Sequence, residues 1–229
     1  MGSRIQARDS KAESDAAALT RGAQDLAATL RALPDAKDLD VLRGLEGEAA
    51  RQYFERQPML VKADLRAEFS MAGRTRRPPR DRMNALLSFL YSMWMNDCRS
   101  ALEAVGLDPQ VGFLHVLRPG RAALALDLME EFRPFADRLA LSLVNRGQIR
   151  ADNFLVREGG AVSLTADARK AVVVAFQERK QEEVQHPVLA QSLALGLVPL
   201  VQARLMARAI RAEAAVNGEV CGYLPYLVR

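Results

Sequence analysis

Cysteine and histidine are almost missing from this chain of 229 residues, which has two of each. Cys98 and Cys221 lie far apart and neither belongs to a Cys-x-x-Cys pair, so thiolate zinc sites and disulfide frameworks lack support. Both thiols read as inert and reduced. No apolar run approaches the roughly 18 residues needed to cross a bilayer, and the opening MGSRIQARDS lacks the apolar core of a secretory signal. Gly2 is not followed by the Ser or Thr four residues on that would suggest myristoylation. A cytoplasmic protein without a membrane partner is expected. Walker A and G-x-G-x-x-G loops are absent, as is a G-x-S-x-G elbow, and neither cysteine has a histidine in a local signature. Nucleotide cradles and nucleophilic catalysis are therefore set aside.

Aromatic residues are few, at 6%, whereas 49% of residues are hydrophobic and 26% charged, enough to bury a substantial core. Ala, Leu and Arg dominate, and these are strong helix formers. The expectation is an all-α chain of one domain, or of two intimately packed ones. Residues 1–13 read as a tag or N-terminal extension, and 14–229 as the helical domain.

Periodicity predicts a helix over 14–33 with Ser14 or Asp15 as cap and Leu19, Leu26, Leu30 and Leu33 on one face, ended by Pro34. A second follows over 38–56, interrupted by Gly44 and Gly47, and a shorter one near 58–70. The stretch from Asp81 to Val105 is apolar almost all round, which predicts a central helix in which Asn84, Ser88 and Tyr91 must find internal hydrogen-bond partners. Gly106 reads as its C-cap. Helix resumes over 122–146 with Pro134 as a kink or break. A short hairpin is predicted at about 153–165 around Arg157–Gly160, then a helix capped by Thr165 and stopping before Pro187, a last helix over 188–216, and an extended tail.

The net charge is only +4, and its placement says more than its size. Between Lys62 and Arg82 seven basic residues face three acids, an excess equal to that of the whole protein. Five of the seven lie in GRTRRPPRDR, where Gly73, Pro78 and Pro79 break any helix and leave the arginines on a loop. A mobile loop carrying Arg74, Arg76, Arg77 and Arg80 could contact phosphates bidentately, or could be a solvated surface loop.

His115 precedes an acidic cluster. On a helix, Asp127 with Glu130 and Asp127 with Glu131 project from one side within a turn. Arg133 and Arg138 could neutralise them. The apolar entry VGFL and the turn at Pro119–Gly120 could bring His115 back to this helix. Glu46 lies between Gly44 and Gly47, and one reason for glycines in mid-helix is close approach of a backbone or ligand. A histidine nitrogen with carboxylate oxygens suits Mn2+ or Mg2+. The spacing alone leaves open a metal site and a solvated acidic face. A rival pattern, Glu183-x-x-His186, has the spacing of a di-iron helix bundle, but that chemistry needs two copies. His186 is read instead as structural, capping the preceding helix or bonding a neighbour.

Several stretches together resemble the universal CRISPR-associated integrase of spacer acquisition, the Cas-one family. They are LRGLEGEAARQYF, GRTRRPPRDRMNALLSFLYSMWMNDCRSALEAVGLDPQVGFLH, RPGRAALALDLMEEFRP and QERKQEEVQHP, most similar in wording to members of type I-C systems. The resemblance implies the family's helical C-terminal catalytic domain, with one divalent ion held by Glu46, His115 and Glu130 and with Asp127 as a further acid of the site. It implies a metal-dependent endonuclease and integrase that joins the 3′-hydroxyl of a short DNA fragment to the CRISPR repeat by phosphoryl transfer. Arg74, Arg76, Arg77 and Arg80 would position the DNA backbone. The implied partners are protospacer and repeat DNA, the Cas-two protein and, in some systems, the Cas-four nuclease. The family's N-terminal β-rich domain, which forms its homodimer, has no counterpart before the first helix, so a monomeric catalytic domain with weakened integration is expected. The alternative is a non-enzymatic basic helical module that binds DNA or serves as a scaffold.

Overall fold

In a computed structural model, residues 2–211 and 222–226 are described, with side chains from Glu13 onward. The chain divides into two compact units, one formed by Met1–Ala85 with Leu143–Ser163 and the other by Leu86–Ser142 with Leu164–Arg229. Cys221 and the end of the predicted last helix lie outside the described residues. No helix among the described residues is long and apolar enough to cross a membrane.

In the first unit, α1 (Gly2–Ala32) begins well before the predicted start and passes through residue 13 without a break. Asp15 is therefore not a cap; its carboxylate pairs with Arg66 at 2.6 Å. α2 (Leu39–Arg56) starts where predicted, with the Asp38 carboxylate accepting from the backbone N–H groups of Asp40 and Val41, a cap that contributes about 1 kcal/mol. α1 and α2 pack together at Gly22, where a Cβ would sit 2.5 Å from Arg56 Cδ. Arg56 also reaches Asp25 at 2.6 Å. The predicted helix near 58–70 is split into a 3-10 turn, Gln57–Leu60, and the single turn α3 (Arg66–Phe69). The hairpin is present as β1 (Phe154–Val156) and β2 (Val162–Leu164), with Gly159 and Gly160 both at positive φ. The Phe154 ring meets Phe69 edge-on at 5.9 Å.

α4 (Arg82–Ala104) has its first turn in this unit. Asn84, fully buried, organises the arginine loop: its Oδ1 accepts from Arg74 at 2.6 Å and from the Thr75 backbone at 3.1 Å, and its Nδ2 donates to the Gly73 carbonyl. An internal partner for Asn84 was expected, and the result is a tied loop rather than a free one.

In the second unit the rest of α4 buries Leu86, Leu87, Leu90, Trp94, Cys98 and Leu102, whereas Ser92, Asn96 and Arg99 face water. The helix thus has a polar face, narrower than that of a surface helix. Tyr91 finds its partner in Asp137 at 2.5 Å. Burial pushes the Cys98 thiol well above its ordinary pKa, in keeping with an inert, reduced cysteine. Gly106 has the positive φ of a C-cap.

The predicted helix over 122–146 is two helices, α5 (Ala123–Met129) and α6 (Arg133–Asn145), joined by a 3-10 turn at Glu130–Phe132. Pro134 explains the joint, because it has no N–H for the Glu130 carbonyl and its ring crowds that oxygen. α7 (Ala166–Gln181) is capped by the Thr165 hydroxyl. It stops earlier than predicted. Residues 183–186 form β3 (Glu183–His186), which pairs antiparallel with β4 (Gln191–Ala194), a second hairpin where the sequence pattern predicts helix ends. Pro187 and the positive φ of Ala190 form the reversal. α8 is correspondingly shorter, Val198–Ile210, with Pro199 in its first turn, where the missing N–H costs nothing. Trp94 stacks on Phe132 at 5.0 Å and meets Phe176 edge-on at 5.1 Å, which joins α4, the 3-10 turn and α7 in one core.

Candidate metal centre

The segment from Leu107 to Ala122 has no regular structure and is tied to the start of α5. The Pro109 carbonyl accepts from the backbone N–H groups of Leu124 and Ala125, which have no partner within the helix. One turn further along, the buried carboxylate of Asp127 gathers the next three residues of the loop. Its Oδ2 accepts from the N–H groups of Phe113 at 2.7 Å and Leu114 at 3.1 Å, and its Oδ1 from that of His115 at 2.9 Å. Gly112 allows this approach, since a Cβ there would stand 2.7 Å from Asp127 Oδ2 and 2.8 Å from the Ala123 backbone.

The same carboxylate holds the His115 ring, with Nδ1 2.6 Å from Asp127 Oδ1. Burial raises the Asp127 carboxyl, but the His115 ring and the three backbone donors outweigh it and leave the pKa below the ordinary aspartate value. An ionised acceptor at this distance requires a proton on Nδ1. The lone pair of a neutral His115 is then on Nε2. Nε2 faces Glu130 Oε1 at 3.9 Å, beyond hydrogen-bond range. Glu130 Oε1 is held from its other side by Arg133 at 2.8 Å, and the Arg133 guanidinium lies 5.2 Å from the centre of the Tyr91 ring.

Two donors that each lie about 2.0 to 2.6 Å from one ion can be 3.9 Å apart, so His115 Nε2 and Glu130 Oε1 fit a shared metal. A carboxylate on the far nitrogen of a ligating histidine is the usual outer support of such a ligand. Asp127 is saturated by these four bonds and has the geometry such a support would need. Among the described residues no group of three His, Cys, Asp or Glu side chains by itself forms a metal cluster, so the pair needs a further donor.

The remaining predicted residues are placed as follows. Glu46 is exposed on α2 in the first unit. The suggestion that its flanking glycines admit a backbone is not met among the described residues, where a Cβ at Gly44 or Gly47 has nothing within 4 Å outside its own helix backbone. In the arginine loop Arg76 and Arg77 are exposed, Arg74 is half-buried on Asn84, and Arg80 donates to the Gly159 carbonyl. His186 is fully buried in the second unit, its Nε2 3.1 Å from Gln202 Oε1 and its Nδ1 accepting from the Leu189 N–H. Side chains three apart on a strand face opposite ways, so Glu183 and His186 cannot form the helical di-iron pair.

Glu131 has a role that its spacing does not show. Its Oε2 accepts from Gln202 at 2.7 Å and from the Tyr226 backbone at 2.8 Å, and Tyr223 donates to its Oε1. Burial raises its pKa against these bonds. Nothing in the local spacing distinguishes Glu131 from Glu130; the signal lies about 90 residues away, in the tyrosines of the tail.

A family model described as CRISPR associated protein Cas1 matches residues 3–178. A CRISPR-associated endonuclease Cas1 of Moorella thermoacetica is 54% identical over 224 residues, which cover 97% of this chain and 63% of that protein. The chain thus spans less than two thirds of that relative's length. A CRISPR-associated exonuclease Cas4/endonuclease Cas1 fusion of Geobacter sulfurreducens is 43% identical over 197 residues, 85% of this chain and 34% of the fusion. Among solved structures, a chain of a Cas6-RT-Cas1–Cas2 complex superposes with a TM-score of 0.75 at 28% identity, covering 90% of this chain and 22% of that one. A casposase bound to its integration product superposes with a TM-score of 0.73 at 25% identity, covering 81% and 54%.

Proposed function

The chain belongs to the Cas1 family of CRISPR-associated proteins, and on that premise we propose that it carries the reaction centre of a metal-dependent DNA endonuclease and integrase of CRISPR adaptation. The reaction is phosphoryl transfer, in which the 3′-hydroxyl of a short DNA fragment attacks a phosphodiester at the edge of the repeat, the new P–O bond forming as the old P–O bond to the target strand's 3′-oxygen breaks and the hydroxyl proton is passed on to that leaving oxygen or to water. The observation that carries this reading is His115, with Nδ1 fixed by a buried aspartate and Nε2 aimed at Glu130. His115 and Glu130 would hold Mg2+ or Mn2+, with Glu46 as the third ligand on the family resemblance alone. Bound there, the ion would act as a Lewis acid on the phosphoryl oxygen.

The chain's own residues do the positioning. Asp127 keeps the imidazole in one tautomer and one orientation, and Arg133 keeps Glu130 facing it. Arg76 and Arg77, exposed on the loop that Asn84 anchors, are proposed to contact the DNA backbone, with Arg74 and Arg80 supporting the loop from within. The neighbouring Cas1 chain assembled with Cas2 and the Cas4/Cas1 fusion support Cas2 and Cas4 as partners. The casposase bound to an integration product supports DNA as substrate.

The test is a strand-transfer and nicking assay of the full chain on branched DNA with Mn2+, set against chelator and against His115→Ala. Activity that requires metal and is lost in His115→Ala, with DNA binding retained, is expected. A chain that binds DNA equally with chelator and performs no transfer under any metal would be the scaffold of the alternative reading.

A further inference from the structure

The 3-10 turn that carries Glu130 interrupts the α-helical hydrogen bonding between α5 and α6. α5 ends at Met129, α6 begins at Arg133, and the Pro134 ring forbids the α-helical bond that would make the two continuous. Met129, Glu130 and Arg133 keep right-handed helical dihedrals, but without that bond the helix holds the rotation of this turn less firmly than that of its neighbours. Successive side chains of a 3-10 turn point about 120° apart, so whatever grips Glu131 and Phe132 also sets the direction of Glu130.

Both are gripped by the same short stretch of chain, residues 222–226. Tyr223 donates its hydroxyl to Glu131 Oε1, and the Tyr226 N–H donates to Glu131 Oε2 at 2.8 Å. The Tyr226 ring, buried, lies nearly parallel to Phe132 at 6.3 Å and stacks on Phe135 at 6.1 Å. Gln202 on α8 completes the tie: its Nε2 lies within hydrogen-bond distance of Glu131, of the Tyr223 hydroxyl and of the Leu224 carbonyl. His186 then fixes Gln202, because the Leu189 N–H occupies Nδ1 and leaves the proton on Nε2 for Gln202 Oε1. A buried carboxylate held this way contributes little net stability compared with an apolar residue of the same size, but it fixes geometry strongly.

We propose that residues 222–226 form a positioning strap for the candidate metal centre, acting through Glu131 on the turn that sets the spacing of Glu130 to His115. This rests on the reading of His115 and Glu130 as a metal pair. Tyr223 and Glu131 touch neither metal nor DNA in this scheme. They are positioning residues.

The test uses the full chain, with Tyr223→Phe removing the hydroxyl that donates to Glu131 and accepts from Gln202, and Glu131→Gln removing the charge at constant shape. Three quantities are read: Mn2+ affinity from the electron paramagnetic resonance of free ion, kcat and KM for strand transfer on branched DNA, and melting temperature. Loss of outer support typically weakens metal binding or activity about 10- to 100-fold. In Tyr223→Phe the expected result is Mn2+ affinity and kcat both down by about tenfold, with KM for DNA unchanged and the chain still folded at the assay temperature. Wild-type Mn2+ affinity and kcat in both variants would overturn the proposal. So would a loss that occurs only where the variant has unfolded. His115→Ala, measured alongside, separates the two levels. If it keeps full Mn2+ affinity, the metal pair itself is wrong; if it loses Mn2+ while the strap variants do not, only the strap is wrong.

Discussion

Asp127 and His115 are joined twice, through backbone and ring: the same carboxylate oxygen accepts the His115 N–H at 2.9 Å and lies 2.6 Å from Nδ1. A rotation of the imidazole away from Glu130 would therefore cost both the ring bond and the packing of the loop that delivers it. The carboxylate is half of the site's geometry without being free to ligate.

Replacing Asp127 with Asn should thus do more than remove a charge. An amide offers one acceptor where the carboxylate serves four donors, and hydrogen bonds to charged groups contribute about 1.5–3 kcal/mol each. A loss of about 2 to 4 kcal/mol at neutral pH is expected in urea unfolding with chelator present. The pH dependence has a definite sign. Because the folded carboxyl lies below its ordinary value, its contribution is fully present above about pH 3.9 and is lost as the pH falls through the lower folded value. The unfolding free energy of the parent chain should rise with pH in that acid window, and the slope should flatten in Asp127→Asn. An unchanged slope would mean that another group carries it.

Gly112→Ala tests the loop from the other side. The new methyl would meet both the Asp127 carboxylate and the Ala123 backbone, and overpacking of this kind costs about 1–3 kcal/mol. The expected outcome is a lower melting temperature together with weaker Mn2+ binding, since the loop must shift and His115 with it. Gly112→Ala with the parent's stability would show that the loop yields without strain.

Much of this layout was legible in the chain. The cap at Thr165, the start of α2 next to Asp38, the hairpin around Gly159 and Gly160, and the need of Asn84 and Tyr91 for internal partners follow from local chemistry that tertiary contacts did not override. The spacing from Asp127 to Glu130 identified the acids, though not that Asp127 is spent on the loop. What was illegible depended on partners distant in sequence. The β3–β4 hairpin is the local exception: its chain mixes polar and apolar residues in a spacing that suits helix ends equally well, and Pro187 and the positive φ of Ala190 mark the reversal. Glu131 reads as a twin of Glu130 until the tail supplies Tyr223 and Tyr226. Asp15 reads as a cap until Arg66 claims it.

Arg76→Ala with Arg77→Ala should weaken DNA binding and reduce its salt dependence, because each lost phosphate contact lowers the slope of log affinity against log salt by nearly one. Both side chains are exposed, so the fold should be unaffected. Arg74→Ala should behave differently, since it removes a partner of buried Asn84 and lowers the melting temperature. Titration of a fluorescent duplex at several salt concentrations measures this. An unchanged slope in the double variant would remove the loop from the DNA surface.

Gly44 and Gly47 give the last prediction, because two effects act on them in opposite directions. Glycine inside a helix costs about 1 kcal/mol relative to alanine, and among the described residues a Cβ at either position meets nothing within 4 Å outside its own helix backbone. Gly44→Ala with Gly47→Ala should therefore stabilise the chain by about 1 to 2 kcal/mol, read from urea unfolding. The glycines flank Glu46, however, which the family resemblance makes the third ligand. Gly47 lies beside Glu46 on the helix surface and Gly44 on the opposite side, so if DNA or the metal's water shell passes close to Glu46, the methyl at 47 will hinder it, and strand transfer will fall although stability rises. That combination is the expected outcome, with Mn2+ affinity changed less than the KM for DNA. A stabilised variant with undiminished transfer would show that these glycines serve no ligand, and would leave Glu46 supported by resemblance alone.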